Sequence, residues 1–383
     1  MRLAALLFML NGLVPFRAAG AGDSTSPPAA EAKPPSSTPL YEEDVAASDP
    51  IRAEQARELE KYLAARRADP TALHAFFTPD FSSPEAYVRS AEKLRQALRD
   101  SLGYPLPGLP DPTESPSFEK IGGDAQGVYY RFRISVLPGV HAVGLYIMPA
   151  GLRGRAPLVI ALHGGGGSPE LATFHGGANY HDLIRGAVAH GYVVLAPQLL
   201  FLAPGFPLDI RQRLDASARL LGTTITAIEI AKIAHALDVV LQRPEVDPER
   251  VAMIGLSYGG FYTLYTTALE PRIKVAASSG FFNDRAGLFE RVGLSNFVDW
   301  RFTNGSSLFN DPEIVALVCP RPLLIQVGIR DELFPIEGAR QEAPAAAAYY
   351  ERLHVADRFQ FVEFPGTHEF HGAEVWTFLR QHL

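Results

Sequence analysis

The chain has 383 residues, of which 47% are hydrophobic and 20% charged, with a formal net charge of −7 and a single cysteine. A net negative balance is a poor match for nucleic acid or an anionic membrane surface, so neither is expected as a partner. One thiol allows no internal disulfide, so stability must come from packing, and Cys319 in "LVCPRP" is read as a small buried apolar residue.

The chain opens with Arg2, an apolar run from Leu3 to Phe16 broken only at Asn11 and Gly12, and then Ala18-Ala19-Gly20-Ala21. This is the pattern of a secretory signal peptide cleaved after Ala21, so residues 1–21 are expected to be removed and the protein to be secreted or periplasmic. The apolar run falls short of the roughly 20 residues that a spanning helix needs. Residues 22–40 are rich in Ser, Pro and Ala and cannot bury enough surface to offset ordering, which makes them a linker. About 340 residues remain from Tyr41, enough for one large domain with an extension.

Residues 41–116 form that extension, with helices expected over 51–67 and 84–102 that pack on the main domain. In the second, Ser82 and Ser83 offer a cap, Pro84 suits the first turn and Gly103 the end, while Tyr87, Ala91, Leu94, Leu98 and Leu102 share one face. After the Pro-rich stretch 105–116, "GVYYRFRISV" and "HAVGLYIMPA" flank Leu137-Pro138-Gly139 and read as an antiparallel pair. Short apolar runs then alternate with helical stretches: "LVIALH" (158–163), "YVVLAP" (192–197), "VAMIG" (251–255), "VAASS" (275–279), "LLIQVG" (323–328) and "FQFVEF" (359–364). Helices are expected at 179–190, 224–242, 259–269, 338–354 and 373–380. Unbroken apolar strands suit a sheet covered on both faces. Residues 117–383 therefore predict one catalytic domain of α/β class, a doubly wound and mainly parallel sheet with an antiparallel start, preceded by the N-terminal helical extension.

Within it, "VAMIGLSYGG" (251–260) places Ser257 in a G-x-S-x-G turn between a buried strand and a helix. In that context the serine is a nucleophile on a tight turn, near a helix N-terminus that favours developing negative charge. A serine hydroxyl needs a base and an acid to orient that base. "LLIQVGIRDELFP" offers Asp331 just past a strand, with Glu332 and Asp284 as alternatives, and "FQFVEFPGTHEFHG" offers His368, with His371 as competitor. The glycine run after "LVIALH" supplies main-chain donors: an oxyanion would be held by the Tyr258 N–H and an N–H of Gly164 or Gly165. His163 is read as structural. The glycines are not followed by the Lys-Ser/Thr pair of a phosphate loop.

From about Phe118 onward the chain resembles the α/β-hydrolase superfamily, and most closely its dienelactone-hydrolase-like and acetyl-xylan-esterase-like branches. The residues that carry this are His163 to Gly167, Gly255-Leu256-Ser257-Tyr258-Gly259-Gly260, "CPRPLLIQVGIRDELFPI" and "GTHEF". Two departures stand out: Ser257 replaces the cysteine of true dienelactone hydrolases, and Pro197-Gln198-Leu199 replaces the Arg-Gly-Gln of the best-known acetyl xylan esterases. The resemblance implies a serine hydrolase acting on a small-molecule or carbohydrate-linked ester. Its chemistry calls for no metal and no organic cofactor, and His175 and His181 are read as loop residues rather than ligands. The oligomeric state is not fixed by the sequence.

Insertions at 198–222 and 281–312 follow strand ends, where pocket walls stand. Phe201, Phe206 and Trp300, with Leu199, Leu200, Phe281 and Phe282, either line an apolar acyl site or pack the insertions on the sheet. Arg211, Arg213 and Arg301 are candidates to meet an anionic group. Two rival readings are a serine peptidase of the prolyl-oligopeptidase type and a non-catalytic hydrolase-fold binding module.

Overall fold

The structure is a computed structural model that describes residues 41, 43–65, 75–108, 110–200, 208–285, 287–288, 298–305 and 307–383. The signal-like segment and the linker lie outside the described residues. The chain divides into two units, Met1–Leu59 and Glu60–Leu383. A 3-10 turn over Val45–Ser48 is capped by the Asp44 side chain and leads into helix α1 (Asp49–Ala65), which begins in the first unit and ends in the second and none of whose residues is buried.

Among the described residues the second unit has nine strands: β1 (Ser117–Gly123), β2 (Gly127–Leu137), β3 (Val140–Pro149), β4 (Ala156–Leu162), β5 (Val193–Pro197), β6 (Val246–Leu256), β7 (Val275–Ser279), β8 (Leu323–Gly328) and β9 (Phe359–Phe364). They form one sheet in the order β1-β2-β3-β5-β4-β6-β7-β8-β9. β1, β2, β3 and β5 pair antiparallel, and every pair from β5–β4 to β8–β9 is parallel. The expected antiparallel start and parallel body are both present.

Alternate residues of the central strands feed two cores. Leu158, Ile160, Val251 and Met253 face one, and Val159, Ala161, Ala252 and Ile254 face the other. The first is covered by α2 (Pro84–Leu102), α4 (Ile225–Val240), α5 (Tyr258–Leu269), α6 (Asp311–Val318) and α7 (Ile336–Arg352), with α3 (Leu208–Leu220) preceding α4 in the chain. The second is covered by residues 180–188 and α8 (Gly372–His382). Among the described residues no single helix is long and apolar enough to cross a membrane.

Helix α2 forms as its sequence dictates: Ser83 caps it, Gly103 closes it at φ 68, and Tyr87, Ala91, Leu94, Leu98 and Leu102 are buried. Among the described residues one strand and two helices of eight or more residues were not foreseen. β1 is an exposed edge whose polar residues show no alternation, α3 occupies a stretch expected to be an insertion, and α6 starts at a capping box between Asn310 and Glu313. The helix expected over 179–190 is instead split into Gly177–Tyr180 and Arg185–Ala189, because His181 adopts φ 47 and ψ −117.

The parallel register positions the site. Leu162 is level with Gly255, Leu256 with Ser279, and Gly328 with Phe364. Everything that directly follows these strands therefore emerges at one edge of the sheet.

Candidate active site

Ser257 sits between β6 and α5 with φ 59 and ψ −116, a backbone region that residues with a side chain rarely occupy. Its N–H donates to the Ser279 carbonyl at 2.8 Å, and its own carbonyl accepts from Phe261 N at 2.9 Å as α5 begins. The turn is wedged tightly. A Cβ on Gly259 would stand 2.2 Å from the Leu162 carbonyl oxygen, and one on Gly255 would stand 2.3 Å from that of Gly259. Glycine at both places is what lets the turn close over the end of β4.

Asp331 and His368 arrive from the ends of β8 and β9. Asp331 Oδ2 lies 2.7 Å from His368 Nδ1, and Oδ1 accepts from Leu333 N and Phe334 N, each at 2.9 Å. The Phe334 ring stacks on the imidazole, with centroids 5.5 Å apart and planes 16° apart. The ring also abuts Gly280, where a Cβ would stand 3.2 Å from His368 Cε1. Two consecutive residues, Ser279 and Gly280, thus touch Ser257 and His368 in turn. The Ser257 hydroxyl makes no hydrogen bond among the described residues. The alternatives stand elsewhere: Glu332 is exposed, Asp284 accepts from Gly287 N, and His371 pairs with Glu374 while stacking on Phe364.

The glycine loop lies against the serine, since a Cβ on Gly164 would stand 3.1 Å from Ser257 Cβ. The Gly164 N–H, however, donates to the Tyr180 hydroxyl at 3.1 Å, which corrects its assignment as an oxyanion donor. The Gly165 N–H makes no hydrogen bond among the described residues, and Tyr258 is the first residue of α5, where main-chain N–H groups point toward the turn. His163 is buried and latches the loop: Nδ1 bonds the Gly164 carbonyl at 2.8 Å and Nε2 accepts from Leu199 N at 3.0 Å. Burial pushes its pKa down to about 4, so it is the neutral imidazole that this pattern requires.

Beneath Tyr258 is a buried ionic cluster in which Arg211 meets Asp299 and, through Nη1 at 3.5 Å, Glu229 Oε1. The fully buried Arg211 reaches Asp299 through Nε at 3.0 Å and through Nη2, and donates to the Tyr262 hydroxyl at 2.9 Å. The Tyr258 hydroxyl donates to Asp299 Oδ2 at 2.6 Å, and the Tyr262 hydroxyl to Oδ1. Burial alone would raise the Asp299 pKa, but the adjacent guanidinium and the hydrogen bonds outweigh it and hold the carboxyl below its ordinary range. Arg211 is therefore committed to Asp299, and its expected role in meeting an anionic group is corrected. Trp300 is 3% exposed and packs on Tyr258, Phe281 and Phe334 at centroid distances of 5.7, 5.3 and 5.8 Å. Of its two readings the packing one fits, since it backs the residues that hold His368 and the turn. Phe201 and Phe206 lie outside the described residues. No group of three or more His, Cys, Asp or Glu among the described residues is placed to hold a metal ion.

Sequence reasoning missed Asp299 and Tyr180. Neither stands in a motif, and only the buried position of a charged or polar side chain beside the turn reveals its part.

A family model described as the alpha/beta hydrolase family matches residues 159–381. The chain is 31% identical over 150 residues to YtaP of Bacillus subtilis (strain 168), which bears a hydrolase's name; the match covers 39% of this chain and 50% of that protein. The chain thus spans half or less of the curated relatives it matches. Among solved structures it is similar to a glucuronoyl esterase from Solibacter usitatus, with TM-score 0.60, 15% identity and coverage of 79% of this chain and 94% of that one. It is also similar to an acetyl xylan esterase from Paenibacillus sp. R4, with TM-score 0.51, 18% identity and coverage of 80% and 98%. At these identities the likeness is one of fold.

Proposed function

The chain belongs to the alpha/beta hydrolase family, and from that premise we propose that it is a serine hydrolase that cleaves carboxylic esters through an acyl-enzyme on Ser257. The observation that carries the reading is the placement of Ser257 at φ 59 beside Ser279 and Gly280, with the His368 ring against Gly280 and its Nδ1 held by Asp331.

His368 Nε2 takes the Ser257 proton as the oxygen attacks the ester carbonyl. Asp331 keeps Nδ1 protonated and stabilises the imidazolium that forms. The negative charge on the carbonyl oxygen is met by the N–H groups of Tyr258 and Gly165 and by the N-terminus of α5. His368 then returns the proton to the departing alcohol, and water, activated by the same imidazole, releases the acid.

The natural substrate is proposed to be a small-molecule or carbohydrate-linked ester, a reading supported by the names of the two solved neighbours. Export to a periplasm or the medium is part of the proposal and rests on the sequence of residues 1–21.

The test is labelling by a fluorophosphonate together with turnover of p-nitrophenyl acetate. Wild type should be labelled, and Ser257→Ala should lose labelling and about 10⁴–10⁶ of turnover. A Ser257→Ala variant with most of its activity would refute the assignment. Faster cleavage of an aminoacyl amide than of the ester would favour the peptidase reading instead, and an unlabelled wild type the binding module.

A further inference from the structure

One short turn touches both halves of the site. The Tyr180 hydroxyl accepts from Gly164 N at 3.1 Å and fills the cradle of the glycine loop, where a Cβ on Gly167 would stand 2.0 Å from it. The Asn179 carbonyl accepts from Phe370 N at 2.8 Å. His181 Nε2 lies 2.6 Å from Glu369 Oε2, and Glu369 Oε1 accepts from Thr367 N at 2.8 Å. Asp182 Oδ2 accepts from the Trp376 indole at 2.8 Å. Thr367 and Glu369 flank His368, so four consecutive residues grip the donor loop at one end and the histidine loop at the other.

The backbone of the turn carries strain that these contacts sustain. His181 has φ 47 and ψ −117, and this kink is what breaks the helix between residues 180 and 185. Sustained strain in a segment joined at both ends is the mark of a fixed spacer.

We propose that residues 179–182 are a strut that sets the distance between the glycine loop and the His368 loop, with Tyr180 and His181 as positioning residues for acyl transfer. The inference rests on the reading of Ser257 and His368 as catalytic. Small displacements between a base, a nucleophile and their donors are costly: a shift of about 1 Å lowers turnover on the order of 100-fold.

The experiment uses the full chain and the variants Tyr180→Phe, His181→Ala and His181→Gln, measured with p-nitrophenyl acetate and by the rate of fluorophosphonate capture. Tyr180→Phe should lower kcat about 10- to 100-fold with KM within about twofold, and slow capture in parallel. His181→Ala should lower kcat about threefold or more, and His181→Gln, which can still donate to Glu369, should restore most of it. His181 is 47% exposed, so this second pair decides the matter if Tyr180→Phe does not fold. Folded Tyr180→Phe and His181→Ala with wild-type kcat, whatever their melting temperatures, would overturn the strut alone. Absence of Ser257-dependent capture in wild type would overturn the catalytic reading, and the strut with it.

Discussion

Asp331 holds His368 with one carboxylate oxygen at 2.7 Å and is itself held through the other by two main-chain N–H groups at 2.9 Å. The pair is therefore fixed in rotation as well as distance. In Asp331→Asn the amide oxygen can still receive Leu333 N and Phe334 N, but the NH₂ then faces His368 Nδ1 and favours the wrong tautomer. Turnover should fall about 10⁴-fold while the fold is kept. Steady-state hydrolysis of p-nitrophenyl acetate with a circular dichroism control checks this, and a variant retaining a tenth of wild-type turnover would remove Asp331 from its role.

The serine turn is as much a packing problem as a chemical one. Gly259→Ala puts a methyl 2.2 Å from the Leu162 carbonyl oxygen, main chain that cannot swing aside. The expected cost exceeds about 4 kcal/mol, enough to leave little soluble protein. Gly151→Ala is the control: φ is 69 there but nothing lies within 4 Å of the new methyl, so only the backbone conformation is penalised, by about 1–2 kcal/mol. Comparing the two by soluble yield and urea unfolding separates crowding from conformational strain.

The parts of this design that were legible in the sequence are those fixed by local rules. Strands buried on both faces leave unbroken apolar runs, Ser83, Pro84 and Gly103 mark the ends of α2, and Gly255 and Gly259 show the turn around Ser257 because a Cβ at either would meet main chain. Asp331 and His368 were legible because each directly follows a strand of the parallel set. Asp299, Tyr180 and Glu369 were not, because their roles are set by which distant loops come together: 41 positions separate Tyr258 from Asp299, and 188 separate His181 from Glu369. Gly164 and Gly165 could not be told apart for the same reason, since a sequence lists donors without showing which of them the fold has already engaged.

The cluster under Tyr258 should behave as a unit. Arg211 and Asp299 are both fully shielded from solvent, so Arg211→Met leaves a buried carboxylate whose charge nothing of like strength offsets. The expected loss is about 3–5 kcal/mol. Adding Asp299→Leu to that variant should recover part of the loss rather than add to it, because the stranded charge is gone. Urea unfolding of the two singles and the double gives the coupling directly. Additive losses would mean that the two side chains act independently.

Stability should also carry a pH signature from Glu313. Burial raises its pKa from 4.5 to about 7, against the opposing hydrogen bond from Asn310 N at 2.7 Å, and Glu342 is likewise raised to about 7. An acid whose folded pKa exceeds its unfolded one binds more protons when folded, so its contribution is full below about pH 4.5 and is lost as pH rises through about 7. His163 acts in the opposite sense, because its folded pKa of about 4 makes acid destabilising. A difference between wild type and Glu313→Gln isolates the one group, since Gln keeps an oxygen to accept from Asn310 N and cannot ionise. The variant should melt close to wild type below about pH 4.5 and several degrees above it near pH 8, the gap opening mostly between about pH 4.5 and 7. A gap that stays constant across that range, read by thermal unfolding, would show that Glu313 takes up no proton in the folded state beyond what it holds in the unfolded chain.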